Sequence, residues 1–411
     1  MSIAARMMGW LVARRRQLPG FVNRLIDDVA KNPDGPAARL ADVLLGGRSS
    51  RNAPPPTSVP DTPIRVYIGP TNYAAQGYLW ARALEASRPD IGARNMEVVL
   101  PGGFGFPADS RVPVSVYNRG AVWQKAQAEA IARFTHVLIE AERPLLGSLF
   151  HRDVAAEIAE LRSRGLSVAF MAHGTDVRSP REHIARTPWS PFHDDPEHTA
   201  VVQAEVDRSL RLIDEHPDLP VFVSTPDLLL DVPRGIWCPV VVDAPRWTSD
   251  RPVLERPVPV VVHVPSMGGV KGTQLIEPAL RRLHEEGLVE YRPLSGVPAS
   301  EMPGTVAEAD IVLDQFRIGS YGVAACEAMA AGRLVVGAVP IDVRELVERV
   351  TGRALPILEA QPDSIEQVLR DVLADRGPGR ALAEAGPGFV AEVHAGALSA
   401  EALTVRWIDA R

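Results

Sequence analysis

"DQFRIGSYGVAACEAMAAGR", Asp314 to Arg333, stands between two apolar runs, "ADIVLD" before it and "RLVVG" after it. Short β-branched runs of this kind read as strands buried on both faces, and Ala324 to Ala331 reads as a compact helix of small residues. Strand, turn, helix and strand make one βαβ unit of a parallel sheet. Its glycine-punctuated turn, "QFRIGSYG", then falls at the carboxyl end of a strand, where such sheets bind ligands. A single carboxylate, Glu327, sits inside the small-residue helix. Burying it among alanines is costly unless it is hydrogen-bonded. Two ribose hydroxyls would supply such bonds, and a nearby arginine such as Arg333 is the structural alternative.

The same alternation extends outward. "IRVYIG" from Ile64, a helical stretch from Ala74 to Ala86, "THVLIE", a helix around Val154 to Arg164, "LSVAFMAH" and "LPVFVST" form one series. It stops near "WCPVVVDAPRW", Trp237 to Trp247, and restarts with "VPVVVHV", Val258 to Val264. Two doubly wound α/β domains are expected, 64–243 and 258–395, with the connection near residues 243–257 and a last helical segment, 396–411, packing back on the first domain. Ahead of them lie a helical extension, 1–50, and the proline-rich linker "RNAPPPTSVPDTP", 51–63.

Composition limits the function. The chain has 411 residues, 46% of them apolar and 23% charged, with a net charge of −7. An acidic pI near 5.9 gives no basic footprint for nucleic acid. Cys238 and Cys326 have no metal-ligand spacing, so a reducing, cytoplasmic setting is expected. Residues 1–30 contain no run long enough to span a bilayer, but Met7, Leu11 and Val12 with Arg14, Arg15 and Arg16 read as an amphipathic basic helix. Packing on the protein itself or on a second copy in a homodimer is the preferred reading. Peripheral contact with the inner face of a membrane is the alternative.

Four turns follow strands and carry polar or glycine-rich residues. "GPTNYAAQG" places Thr71, Asn72 and Tyr73 at a helix start, suited to a plain cap or to an anion. In "HGTDVRSPRE", Ser179, Pro180 and Glu182 serve as helix cap, first helical residue and capping-box partner. His173, Asp176 and Arg178 are left over; His173 is either a satisfied core histidine or part of a site. "PSMGGVKGT" holds Ser266 and Lys271 among Gly268, Gly269 and Gly272, which let backbone approach a ligand. With 41 arginines against 3 lysines, a lysine in such a turn stands out. Its ammonium suits phosphate, although the spacing is not that of a Walker loop. In the fourth turn the amides of Ser320, Tyr321, Gly322 and Val323 open a helix whose dipole favours a diphosphate.

Together, "YGVAACEAMAAG" with "RLVVG", "VKGT" after a strand, "HGTDVR" and "CPVVVD" resemble the retaining glycosyltransferases of family 4. The resemblance runs from residue 64 to about 340 in order and spacing. It implies a GT-B fold, two Rossmann-like domains facing a cleft, and transfer of a sugar from a nucleoside diphosphate to a small-molecule or glycan acceptor with retained configuration. On this resemblance Lys271, with Ser266 and the amides of Ser320 to Val323, binds the diphosphate. Glu327 holds the ribose, and His173 lines the donor sugar. His173 and Lys271 are then the catalytic pair. Asn72, Tyr73, Asp176, Arg178 and Gly319 line the sugar or acceptor side.

Two departures accompany the resemblance. The first of the family's two glutamates falls at Gly319, and Pro265-Ser266 stand where an arginine is usual. Arg178 and Arg317 are candidates to restore that charge, and the loss at Gly319 points to an uncommon donor sugar, with Asp314 or Gln315 as stand-ins. No Asp-x-Asp triplet occurs, so neither metal nor cofactor is expected. A GT-B nucleotide-sugar epimerase and a non-catalytic binding subunit are the other classes in view. A dinucleotide oxidoreductase ranks last for want of a GxGxxG fingerprint.

Overall fold

The computed structural model describes residues 53–99, 105–263, 268–294, 297–298 and 300–410. Residues 1–50, Ser266 and residues 295–296 lie outside them. Two parallel sheets carry the chain. The first holds β1 (Ile64–Gly69), β2 (Ile91–Val99), β3 (Ser110–Pro113), β4 (His136–Glu140), β5 (Ser167–Ala172), β6 (Val221–Val223) and β7 (Ile236–Trp237), in the order β3-β2-β1-β4-β5-β6-β7. The second holds β8 (Val260–His263), β9 (Glu290–Pro293), β10 (Ile311–Leu313), β11 (Leu334–Gly337) and β12 (Ile357–Glu359), in the order β12-β11-β10-β8-β9. Helices follow the strands in both, as the alternating pattern requires. The fold is α/β.

Two compact units divide the described residues. One takes in the chain up to Tyr78 with Gly92–Ile139 and Arg143–Ser167; the other takes in Leu79–Ile91, Glu140–Glu142 and everything from Val168 on. In the first unit the proline-rich segment is fastened rather than loose. Thr57 is buried, its amide donates to Gln127 Oε1 at 2.9 Å, and Gln127 Nε2 donates back to the Thr57 hydroxyl at 3.0 Å. The helix expected from Ala74 begins two residues later, at Gln76, because Ala74 and Ala75 have positive φ and close a short 3₁₀ turn. Asn72 still serves that helix: its side-chain oxygen accepts from the amide of Tyr78 at 3.0 Å.

In the second unit the core of the β8–β12 sheet shows why its strands are central. Val261, Ile311, Leu313, Leu334 and Val336 are fully or almost fully buried under Ile276, Leu280 and Leu283 of the Thr273–Glu285 helix. Those helix positions recur at three- and four-residue intervals, so one stripe faces the sheet. Each such side chain contributes about 1.5–3 kcal/mol of burial. Residues 397–408 lie against the β6–β7 side: the Ser399 hydroxyl donates to Pro239 O at 2.7 Å, and the Trp407 ring stands 6.4 Å from Phe222. Arg88 binds Asp409 at 2.8 Å on the surface.

Strand register positions the site. Leu313 lies opposite His263, so β8 and β10 end side by side, at the point where the order of the second sheet reverses. Loops leaving a sheet at such a point diverge and leave a crevice. His263 fastens the pair there, with Nδ1 on Leu313 O and Nε2 on the Thr273 hydroxyl, each at 2.9 Å. Burial lowers its pKa, so the ring is neutral.

Candidate functional site

Lys271 ends the helical turn Gly268–Lys271 that follows β8, and its side chain is mostly buried. The backbone joins this turn to the loop after β10, because the Phe316 amide donates to Lys271 O at 3.0 Å. Asp314, the first residue beyond β10, points back at both features. Its Oδ1 is 3.4 Å from Lys271 Nζ, and its Oδ2 accepts from the Gly322 amide at 3.3 Å. Gln315 braces the loop from within by donating to Ser320 O at 2.8 Å.

The helix after this loop spans Val323–Ala330, and its N-cap position is Gly322, which offers no side chain to its first amides. Those amides have no intrahelical acceptor. Ser320 is 2% exposed, and its hydroxyl has no partner among the described residues. Tyr321 is held from below: its hydroxyl meets His394 Nε2 at 3.2 Å, while His394 Nδ1 meets Val240 O at 2.8 Å. Burial holds His394 down at about 4, so this ring is a neutral strut. The helix is made of small residues for a packing reason. A Cβ added at Gly386, on the Gly377–Val393 helix, would come within 2.8 Å of Met329 O. The two helices approach too closely for bulk.

Glu327 lies one turn inside that helix. Burial pushes its carboxyl up to about 8, opposed by the charges of Arg246 and Lys271 and reinforced by Asp314. Arg333 is not its partner. That guanidinium donates to the carbonyls of Ala331, Ala309 and Arg251, and fastens the helix end to the sheet. Arg246 sits in the short helix Ala244–Trp247, within a stretch that reads from sequence as a connection, so no motif marked it.

The turn after β5 is largely self-supporting. Asp176 accepts from the amides of His173, at 2.7 Å, and of Gly174, so it braces the turn. His173 Nε2 lies 3.2 Å from Glu140 Oε1, with side chains 7% and 0% exposed, and its ring is 5.6 Å from that of Trp80. Glu140 ends β4. The rule that flagged His173, a polar residue closing a strand, applies to it equally. Ser179 caps the Pro180–Arg186 helix as its sequence predicts.

Neither arginine expected to restore the missing charge is available for it. Arg178 forms a buried ion pair with Asp227 at 2.6 Å. Arg317 donates to Trp189 O, Ser190 O and Gly269 O at 2.7–3.0 Å, and binds Asp194 through both oxygens at 2.6 and 2.7 Å. Beside it, His183 Nε2 contacts Ile318 O at 3.1 Å. The loop carrying Gly319 is therefore fastened to residues 183–194, between β5 and β6.

Gly319 itself has φ +71°, and a Cβ there would meet Pro340 Cγ at 3.4 Å. A glutamate in this backbone is strained whatever it would bind. Gly319→Ala should cost roughly 1–2 kcal/mol in chemical denaturation, the penalty of a left-handed L-residue. An unchanged midpoint would show that the loop adapts. Asn72 and Tyr73 belong to the first unit: Asn72 is buried and donates to Pro107 O at 3.0 Å, and Tyr73 is exposed. Among the described residues no group of three or more His, Cys, Asp or Glu gathers as a metal site, and no helix is long and apolar enough to cross a membrane.

No family model matches the chain, and no curated protein matches it. Solved structures do. Sucrose-phosphate synthase from Thermosynechococcus elongatus is 13% identical with a TM-score of 0.51, the match covering 81% of this chain and 96% of that one. Anabaena HepE, crystallised with UDP-glucose, is 11% identical with a TM-score of 0.50, covering 83% and 98%. The fold is thus that of the GT-B glycosyltransferases.

Proposed function

We propose that the protein is a glycosyltransferase that takes a sugar from a nucleoside diphosphate and transfers it with retention of configuration. The observation that carries this reading is the grouping, where β8 and β10 end, of one ammonium, one open helix N-terminus and one buried carboxylate. Lys271, the Ser320 hydroxyl and the amides leading to Val323 suit a diphosphate; Ser266, assigned to the same ligand, lies outside the described residues. Glu327 suits the two hydroxyls of a ribose. As the glycosidic bond breaks, negative charge collects on the leaving diphosphate, and fixed donors already aimed at it lower the barrier. His173, oriented by Glu140, is assigned to the donor sugar. The structural neighbour crystallised with UDP-glucose supports a uridine nucleotide as the first donor to try.

No metal is assigned to the site, so activity should survive a chelator. An uncommon donor, deoxygenated or enlarged, is proposed from the absence of a carboxylate side chain at Gly319 and not from its backbone conformation, which requires glycine for its own reason. The deciding experiment is a thermal-shift screen with UDP, GDP, ADP and TDP, followed by donor hydrolysis with and without EDTA. A ligand at 100 times its Kd stabilises the folded state by about 2.7 kcal/mol. No shift with any nucleotide would refute the assignment, and loss of hydrolysis with EDTA, restored by magnesium, would refute its metal-free form.

A further inference from the structure

The place assigned to the diphosphate already holds an anion. Asp314 is 3% exposed, and its two oxygens take one donor each, the Lys271 ammonium at 3.4 Å and the Gly322 amide at 3.3 Å. These are the two donors that flank the proposed seat, one from each loop. Around them the Ser320 hydroxyl is buried without a partner among the described residues, and the N-cap position of the Val323–Ala330 helix supplies no side-chain cap. The carboxylate therefore satisfies part of a larger donor set and leaves the rest open.

We propose that Asp314 is a specificity-determining residue, a charge filter that admits a diphosphate and excludes a single phosphate. This rests on the reading of Lys271 and Gly322 as diphosphate donors. An incoming anion must displace Asp314 from both. The tethered carboxylate gives up no translational freedom when it occupies the seat, whereas a free ion does. A phosphate ion that merely replaces the carboxylate gains little. A diphosphate has a second phosphoryl group to place on the Ser320 hydroxyl and the open amides, and its greater charge draws Lys271 more strongly. Its arrival leaves the Asp314 carboxylate without its two donors, beside the loop in which Gly319 replaces a glutamate.

Affinities for inorganic phosphate, pyrophosphate and UDP, measured by calorimetry on the parent and on Asp314→Asn, test the filter. Asparagine keeps the size of the side chain and an oxygen for the Gly322 amide but removes the charge. The parent should prefer pyrophosphate strongly. In the variant phosphate should bind about tenfold tighter, the effect of about 1.4 kcal/mol, and the preference for pyrophosphate should narrow. A variant that binds phosphate no tighter than the parent overturns the filter. If Asp314→Asn does not fold, Asp314→Ser is read the same way. A crystal structure of the parent with pyrophosphate is independent of either variant: Asp314 should have left Lys271, and a carboxylate still on Lys271 overturns the proposal. Pyrophosphate binding as expected with no binding of UDP or the other nucleoside diphosphates would leave the filter standing and refute the nucleotide-sugar reading instead.

Discussion

Glu327→Ala is expected to weaken UDP binding by roughly 1.5–3 kcal/mol, the range for hydrogen bonds to a charged group. The carboxyl of the ligand-free protein is pushed up to about 8 by burial. Ribose hydroxyls that donate to it favour the ionised form, so binding near neutral pH should release a proton, and affinity should rise as the pH is raised toward 8. Calorimetry in two buffers of different ionisation enthalpy reads that proton directly. Stability should move the other way. The folded pKa lies above the ordinary carboxylate value, so its contribution is fully present below that value and is lost as pH rises through about 8. Glu327→Gln removes the titration; it should match the parent in acid and exceed it in stability above pH 8. An alanine variant that binds UDP as tightly as the parent would end the assignment of Glu327 to the ribose.

Arg317→Met should destabilise the protein by about 3 kcal/mol, taking roughly 1 kcal/mol for each of three carbonyls left without their donor. The guanidinium is 4% exposed, but its partner Asp194 is 49% exposed, so the charge pair is screened and is the smaller part of the loss. The larger part comes from the carbonyls of Trp189, Ser190 and Gly269, which lose their donor. Methionine keeps the stem that packs on Gly272, where a Cβ would lie 2.9 Å from Arg317 Cγ. Because Gly269 precedes Lys271 in the same helical turn, UDP affinity should also fall, by about tenfold. Urea denaturation and calorimetry measure the two effects. An unchanged unfolding midpoint would show that the fastening contributes little.

The parts of this fold legible in sequence are those set by short-range patterns. β8, β10 and β11 read directly because central parallel strands are apolar on both faces, as Val260–Val262 and Leu334–Val336 are. The positions of Lys271, Ser320 to Val323 and Glu327 just after their strands read directly, because strand, turn and helix are contiguous in the chain. What the sequence hid was set by distance along the chain. Arg317 meets Trp189 across 128 residues, and Arg178 meets Asp227 across 49. No periodicity encodes such pairings, so both arginines looked free for phosphate. Asp314 was visible only as a stand-in for the missing glutamate. Its approach to Lys271 depends on β8 and β10 being neighbours, an order that no local signal fixes. Gly319 read as a lost side chain, whereas its positive φ makes it a backbone requirement.

The return of residues 397–408 to the β6–β7 side has a consequence for how the molecule is made. Ser399 meets Pro239 across 160 residues, and Phe222 waits for Trp407 still longer. At roughly 5–20 residues per second, a ribosome needs on the order of ten to thirty seconds to add that length. Throughout that interval Phe222 and Cys238 lack part of their final cover while the β8–β12 sheet is being threaded out behind them. The nascent chain thus carries an apolar surface that its own later residues close, and holding factors have that window in which to engage it.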